Sequence, residues 1–130
     1  MERVLIANRG EIARRLIRYY ADRDIETVSV FSEPDVEQPW VDEADYAVYL
    51  NGHSVRETYR HAQRVVSAAV DAGCDLIHPG YCFLADDPYF IQLAMSAGLP
   101  VVGAPPEALI QVTRPLALRG VAEQLGVPLV

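Results

Sequence analysis

Short runs of apolar residues alternate along this chain with longer segments in which apolar residues recur every three or four positions. A short apolar run is typical of a buried strand, and the longer spacing is typical of a helix with one buried face. The predicted strands are 4–7, 25–31, 44–50, 74–78 and 99–103. The predicted helices are 11–24, 55–72, 88–97, a segment beginning at 105, and 116–126. This alternation predicts an α/β fold, a parallel sheet flanked by helices, in one domain over residues 1–130.

Two segments outside this alternation affect the expected organisation. Residues 33–40 carry two prolines and predict a loop. Residues 126–130, GVPLV, resemble the start of a further strand. A domain whose last residues begin a strand is typical of the first part of a larger protein, and that is the organisation we expect.

The composition narrows the classes of protein to consider. The net charge of −7 argues against a nucleic-acid partner, because binding to a phosphate backbone depends on positive charge. All eleven basic residues are arginine, which excludes a P-loop lysine and a Schiff-base lysine. No apolar run approaches the length of a membrane-spanning helix, and the N-terminus lacks the pattern of a signal peptide. Cys74 and Cys82 match no redox or zinc spacing, so we expect two reduced thiols in a cytoplasmic protein.

The first predicted strand–helix junction, IANRGEIA, lies where a dinucleotide-binding fold would carry a glycine-rich turn. Only Gly10 is present, and Glu11 places negative charge where a pyrophosphate would bind. The junction therefore predicts a tight turn rather than a dinucleotide site.

Arg15, Arg18 and Asp22 recur along one face of the first predicted helix, and the spacing allows Arg18 and Asp22 to form an ion pair. The pattern alone leaves two interpretations open. The face is either solvated, as most charged helix faces are, or part of a subunit interface, where arginine is enriched and lysine depleted.

The segment IHPGYCFLADD, residues 77–87, crowds titratable groups at the end of a predicted strand. His78 and Cys82 suggest a nucleophilic pair, and Asp86 and Asp87 add oxygen ligands for a metal. The segment lacks the ligand spacing of a known metal site, and a nucleophilic pair also needs an oriented base and an oxyanion hole.

A third interpretation of the same segment is the one we favour. Ligands of α/β proteins bind beyond the carboxyl ends of strands, and this segment follows such an end. It is interpreted as a rigid wall, shaped by Pro79 and Gly80, that presents Tyr81 and Phe83 to a pocket.

Three stretches resemble, in order and spacing, the N-terminal domain of biotin carboxylases: VLIANRGEIARRLIR, LIHPGYCFLADD and VVGAPPEAL. Biotin carboxylases are subunits or domains of acetyl-CoA, propionyl-CoA and pyruvate carboxylases, and IANRGEIA and IHPGYGFLSEN are signature stretches of the family. The similarity runs over the whole chain. It implies a Rossmann-like pre-ATP-grasp domain, which in the complete enzyme precedes a lid domain and an ATP-grasp core that this chain does not contain.

The resemblance also implies an activity. The complete enzymes use Mg-ATP and bicarbonate to make carboxyphosphate, which carboxylates biotin on a carrier domain. ATP, Mg²⁺ and biotin are therefore the expected cofactors of the complete enzyme, and residues 1–130 are expected to hold no cofactor, catalytic residue or metal ligand. The lid and ATP-grasp domains and the biotin carboxyl carrier are the expected partners, and the isolated domain is expected to be inactive.

Four residues of this segment align with a family loop that borders the biotin and bicarbonate pocket. The resemblance thus implies a pocket wall made of His78, Gly80, Tyr81 and Cys82, in which Tyr81 matches the tyrosine of the family. Cys82 stands where the family has glycine, and residues 85–87 read Ala-Asp-Asp where the family has Ser-Glu-Asn.

The charged face of the first helix gains an interpretation from the same resemblance. Arg15, Arg18 and Asp22 match two arginines and an acid that contribute to the dimer interface of the bacterial enzyme. The resemblance therefore favours the interface over the solvated face and implies a homodimer.

Near its C-terminus this chain departs from the sequence pattern of the family. The family's Gly-Asp-Lys, whose lysine reaches an ATP phosphate, aligns with residues 113–115, Thr-Arg-Pro, and Arg114 is the nearest cation. A function of another class therefore remains open, a free-standing non-catalytic binding or regulatory module that kept the fold.

Overall fold

The computed structural model describes residues 2–112 and 115–128. Within these ranges the chain forms strands and α-helices in the order β1 Arg3–Ile6, α1 Gly10–Ala21, β2 Glu26–Phe31, α2 Pro39–Glu43, β3 Tyr46–Tyr49, α3 Ala62–Asp71, β4 Leu76–His78, α4 Pro88–Ser96, α5 Pro106–Val112 and α6 Pro115–Gln124. A short 3₁₀ helix, Glu33–Asp35, precedes α2.

The strands form one parallel sheet in the order β3-β2-β1-β4. β1 lies inside the sheet, where Leu5 pairs with Val28 of β2 and with Ile77 of β4. Val4, Leu5 and Ile6 are completely buried, as expected for a parallel strand that helices cover on both faces. The prediction of an α/β fold with a parallel sheet flanked by helices is confirmed.

Alternate residues of β1 belong to two separate apolar cores. Leu5 lies in the larger core, which α3 and α4 cover, and Ile6 lies in the smaller core, which α1 covers. Burying a leucine or isoleucine side chain contributes about 1.5–3 kcal/mol to folding. The smaller core also buries the indole of Trp40, from the first turn of α2.

The predicted helix over 55–72 is only partly correct. Residues 55–60 form turns, and α3 begins at Ala62. Side chains compete for the backbone here: the hydroxyl of Thr58 donates to the carbonyl of Ser54 at 2.7 Å, and the Nδ1 atom of His61 accepts the N–H of Arg64 as the cap of α3. The cap at His61 marks the start of α3, and residues 55–60 form turns before it.

The predicted strand over 99–103 is reduced to a single bridge between Val101 and Ile77. Ile77 donates to the carbonyl of Pro100 and accepts from the N–H of Val102, each at 3.0 Å. Pro100 has no N–H to extend the ladder, and Gly103 leaves the strand region with φ +155°. The pairing is therefore present but does not form a fifth strand.

The predicted loop over 33–40 is more ordered than expected. It contains the 3₁₀ helix, and Pro39 starts α2, as proline favours the first position of a helix.

At the C-terminal end of the chain, Val127 and Pro128 follow the turn at Gly126 without forming a strand. Residues 129–130, which also belong to the predicted start of a strand, lie outside the described residues.

Candidate functional site

Two of the three stretches that resemble biotin carboxylases, VLIANRGEIARRLIR and LIHPGYCFLADD, meet at the carboxyl edge of the sheet. β1 and β4 are neighbours, and the N–H of Ala7 donates to the carbonyl of His78 at 3.0 Å. The turn after β1 therefore lies against the loop after β4. The name HPGY loop is used below for His78–Phe83.

Asn8 joins the turn after β1 to the HPGY loop. Its side chain is completely buried, and its Nδ2 atom donates to the carbonyls of Pro79 at 2.7 Å and of Tyr81 at 2.9 Å. Its Oδ1 atom accepts the N–H of Arg9 at 2.8 Å. The sequence pattern gives no signal for this contact, because the two carbonyls lie 71 and 73 residues away from Asn8 along the chain.

His78 acts within the loop rather than as a partner of a thiol. Its Nδ1 atom accepts the N–H of Gly80 at 3.0 Å, so the proton of the neutral ring lies on Nε2. The ring packs edge-on against Tyr20, with centroids 5.9 Å apart. Burial, and then the positive charge of Arg15, lower the pKa of His78, which favours the neutral ring.

Gly80 is needed in the loop for its backbone and for the space around it. Its φ is +67°, and a Cβ atom there would lie 2.6 Å from the Cγ2 atom of Ile12 and 3.0 Å from the Nδ2 atom of Asn8. The loop therefore approaches α1 closely, and only glycine fits.

The residues after Gly80 turn outward. Tyr81 is 57% exposed and Cys82 is exposed, whereas the half-buried Phe83 stacks on Tyr59 with centroids 5.7 Å apart. Cys82 and Phe83 both adopt left-handed backbone, with φ of +61° and +48°. The expected wall thus presents Tyr81 and Cys82, while the ring of Phe83 is largely used in packing.

A depression of about 510 Å³ lies beside the loop, lined by Arg60, Cys82, Phe83, Leu84, Asp86, Asp87 and Pro88. The carboxylate of Asp87 caps α4 by accepting the N–H of Tyr89 at 2.9 Å. Within residues 2–112 and 115–128, no cluster of three His, Cys, Asp or Glu side chains has the arrangement of a metal site. Cys74, the other free thiol, is buried, and burial raises its pKa to about 11.

A buried polar cluster lies beside the HPGY loop, at the carboxyl end of β2. The carboxylate of Asp35 forms an ion pair with Arg9 at 2.5 Å and accepts the hydroxyls of Ser32 at 2.9 Å and Tyr59 at 2.7 Å. The side chain of Asp35 is 3% exposed. Burial, and then the hydrogen bond to Asp35, raise the pKa of Tyr59 above its usual range.

The same cluster connects to the loop through aromatic rings. The guanidinium of Arg9 lies 5.4 Å from the ring centre of Tyr59, and Tyr59 in turn stacks on Phe83. Asp35 lies in a segment whose two prolines predict a loop, so its position in the sequence did not mark it as part of a site. The serine three residues before an aspartate, at the end of a strand, was the available signal.

The charged face of α1 is exposed as predicted, but its ion pairs differ. In the described part of the chain, Arg18 lies 3.6 Å from Glu43 of α2 rather than pairing with Asp22, and Arg14 binds the same carboxylate. Arg15, Arg18 and Asp22 line a shallow depression of about 380 Å³. Arg114, the candidate phosphate contact, lies outside the described residues.

None of the helices within residues 2–112 and 115–128 is long and apolar enough to span a bilayer.

Comparison with known proteins identifies the family. Residues 1–109 match the model of the biotin carboxylase N-terminal domain. The chain is 41% identical over 128 residues to the biotin-dependent acyl-coenzyme A carboxylase alpha3 subunit of Mycobacterium leprae, covering 98% of this chain and 21% of that protein. The structure of Kluyveromyces lactis urea carboxylase is similar with a TM-score of 0.95 at 36% identity, covering 99% of this chain and 11% of that chain.

A second similar structure carries bound ligands. The biotin carboxylase domain dimer of Hydrogenobacter thermophilus 2-oxoglutarate carboxylase, in complex with MgADP, ADP and bicarbonate, has a TM-score of 0.92 at 36% identity. It covers 99% of this chain and 28% of that chain. The 130-residue chain therefore belongs to the biotin carboxylase N-terminal domain family, and it spans 7–29% of the length of the curated relatives it matches.

Proposed function

We propose that residues 1–130 serve as the N-terminal domain of an ATP-dependent biotin carboxylase, in which the HPGY loop forms one wall of the biotin and bicarbonate pocket. In the family reaction ATP and bicarbonate supply the activated carboxyl group that biotin accepts. The lid domain, the ATP-grasp core and a biotin carboxyl carrier are the proposed partners. A cytoplasmic location stays a prediction, and so does a role for Arg114 at an ATP phosphate.

The exposed ring of Tyr81 is the observation that supports the pocket wall most directly. Tyr81 is 57% exposed, although its backbone carbonyl accepts a hydrogen bond from the buried Asn8. An aromatic ring on a fixed backbone loses little conformational entropy when a ligand packs against it.

Tyr81→Ala should raise the KM for biotin roughly tenfold in the intact carboxylase, since one aromatic contact contributes about 1 kcal/mol or somewhat more. The KM for ATP should stay within about twofold, because the proposed ATP contacts lie in other domains. The measurement is biotin-dependent ATP turnover at varied biotin and varied ATP. Tyr89→Ala is the matched control, because Tyr89 is also a half-exposed tyrosine but lies on α4, outside the HPGY loop.

Cys82→Gly separates the wall from a nucleophile at the same position. Glycine is favoured at φ +61°, so this change should preserve or improve biotin turnover. Complete loss of turnover in Cys82→Gly would contradict the wall. A KM for biotin that Tyr81→Ala leaves unchanged would contradict it as well.

The charged face of α1 is the proposed subunit interface. Reversing Arg15 and Arg18 to glutamate should raise the dissociation constant of the dimer at least roughly tenfold, because like charges would then meet across the interface. The melting temperature should change little, since exposed charges contribute little to folding. Sedimentation velocity measures the association, and a double reversal of the exposed Arg56 and Arg119 is the control. Equal association of both double variants would exclude this face.

The rival function is a non-catalytic module that kept the fold. The exposed Tyr81 and the α1 face suit a binding surface in that case too. A protein in which this domain is joined to a lid and an ATP-grasp core would favour the carboxylase. A purified protein that contains those domains and shows no biotin-stimulated ATP turnover would favour the module.

A further inference from the structure

The HPGY loop holds an unfavourable backbone conformation. Gly80, Cys82 and Phe83 all have positive φ, at +67°, +61° and +48°. For cysteine and phenylalanine this conformation is uncommon, and it persists only where surrounding contacts enforce it. The residues that enforce it are therefore of functional interest, because the loop carries the exposed Tyr81.

Asn8 makes contacts that can hold the loop in this backbone conformation. Its Nδ2 atom donates one hydrogen to the carbonyl of Pro79 and the other to that of Tyr81, on the two sides of Gly80. The orientation of the amide follows from its partners, because two carbonyls require donors and the N–H of Arg9 requires an acceptor. All the polar atoms of this completely buried side chain are thereby used.

A purely local role does not account for these bonds. Asparagine often stabilises a turn by bonding to its own neighbours, and the bond to Arg9 is of that kind. The bonds from Nδ2, however, reach 71 and 73 residues along the chain. A turn that needed only the local bond would be served by aspartate or serine, which cannot donate to both carbonyls.

We infer that Asn8 is a positioning residue for the proposed pocket: it acts through the HPGY loop, fixing the carbonyls on either side of Gly80 so that Tyr81 and Cys82 stay in place. This inference deepens the proposed function and rests on it for the consequence at biotin. The bracing of the loop itself stands on the hydrogen bonds alone, so the two are tested separately.

The first test uses hydrogen exchange in the chain as it stands. Asn8→Asp keeps the size and the acceptor for Arg9 but removes both donors. The Gly80 N–H, which bonds to His78, should then exchange roughly tenfold faster or more, whereas the Ala7 N–H, which reports β1–β4 pairing, should change far less. Thr27→Val is the control, since it likewise removes the hydrogen bonds of a buried side chain, those between the Thr27 hydroxyl and Asp45, but near the amino end of β2.

The outcomes distinguish positioning from general support of the fold. Selective acceleration at Gly80 in Asn8→Asp, absent from Thr27→Val, supports the inference. Equal acceleration at Gly80 and Ala7, or no acceleration, overturns it. If Asn8→Asp does not fold, the unaltered protein decides: both side-chain amide protons of Asn8 should exchange slowly, and rapid exchange of either overturns the inference.

The second test uses biotin turnover in the intact carboxylase. Asn8→Asp should raise the KM for biotin several-fold, by an amount comparable to Tyr81→Ala, and leave the KM for ATP unchanged. Exchange that accelerates at Gly80 together with an unchanged KM for biotin would support the bracing by Asn8 and overturn its consequence at biotin, whereas the pocket wall itself is decided by Tyr81→Ala. Failure of one proposal is therefore visible independently of the other.

Discussion

Asp35→Asn should lower the free energy of unfolding by about 3 kcal/mol, because the hydroxyls of the buried Ser32 and Tyr59 then lose a charged acceptor. Arg9, whose side chain is 39% exposed, can turn to water and adds little to this loss. The carboxylate accepts hydrogen bonds from three donors, the guanidinium of Arg9 and the hydroxyls of Ser32 and Tyr59. An amide of the same size turns a donor toward at least one of them. The prediction is measured by urea denaturation, and the melting temperature should fall by roughly 10 °C.

Glu43→Gln is the matched control for this change. Glu43 also pairs with arginine, binding Arg14 at 2.8 Å, but its side chain is 29% exposed. Exposed ion pairs contribute about 0–1 kcal/mol, so the control should lose less than about 1 kcal/mol. Similar small losses in both variants would mean that the buried cluster around Asp35 does not stabilise the fold.

Gly80→Ala should lower the free energy of unfolding by about 2–4 kcal/mol, the sum of a backbone cost and a steric cost. The left-handed conformation at φ +67° disfavours alanine. The added Cβ atom would also lie 2.6 Å from Ile12 and 3.0 Å from Asn8, neither of which can move freely in its packed surroundings. Denaturant unfolding measures the total.

Two further variants separate these costs. Gly10 has a similar φ of +61°, but a Cβ atom there would meet nothing within 4 Å. Gly10→Ala should therefore show the backbone cost alone, about 1–2 kcal/mol. Adding Ile12→Ala to Gly80→Ala should cost less than the sum of the two single changes, because it removes the clash. Equal decreases in the free energy of unfolding in Gly10→Ala and Gly80→Ala would show that a side chain at position 80 meets no steric cost against α1.

The sequence pattern predicted the central elements well because their burial is strongly patterned. β1 and β2 were placed within one residue, since runs of Val, Ile and Leu buried on both faces have few other interpretations. α1 was placed within three residues of its end, where Asp24 leaves helical backbone with φ +54°. Parallel pairing then followed from the alternation of strands and helices.

The errors arose where side chains compete with the backbone. Tyr59 fits the apolar period of α3, yet it is buried because its hydroxyl donates to Asp35 and its ring stacks on Phe83. An aromatic residue at this spacing looks the same in the sequence whether it lies on a helix or is buried by contacts distant in sequence. The predicted fifth strand was wrong, because only Val101 forms a bridge to the sheet. The β-branched residues around it indicate a strand, but they do not show how many backbone N–H groups have a partner.

The position of the HPGY loop in the fold could be predicted from the sequence, but the contacts that hold the loop could not. The end of β4 pointed to the HPGY loop, and the structure does place Tyr81 and Cys82 at an exposed edge. The residues that hold the loop were not foreseen, because Asn8 and Asp35 act across 73 and 24 residues of sequence and local patterns carry no such information. Contact of Tyr81 with biotin and of Arg15 with a second subunit stay predictions.

Trp40 gives this protein a built-in optical probe of one side of its sheet. It is the single tryptophan among seven tyrosines, so selective excitation separates its fluorescence from theirs. The indole is 3% exposed, donates to the carbonyl of Val30 at 3.2 Å, and lies 5.9 Å from the guanidinium of Arg9. Its emission should shift to longer wavelength when α1 and α2 separate from the sheet, even while the opposite face, beneath α3 and α4, remains folded.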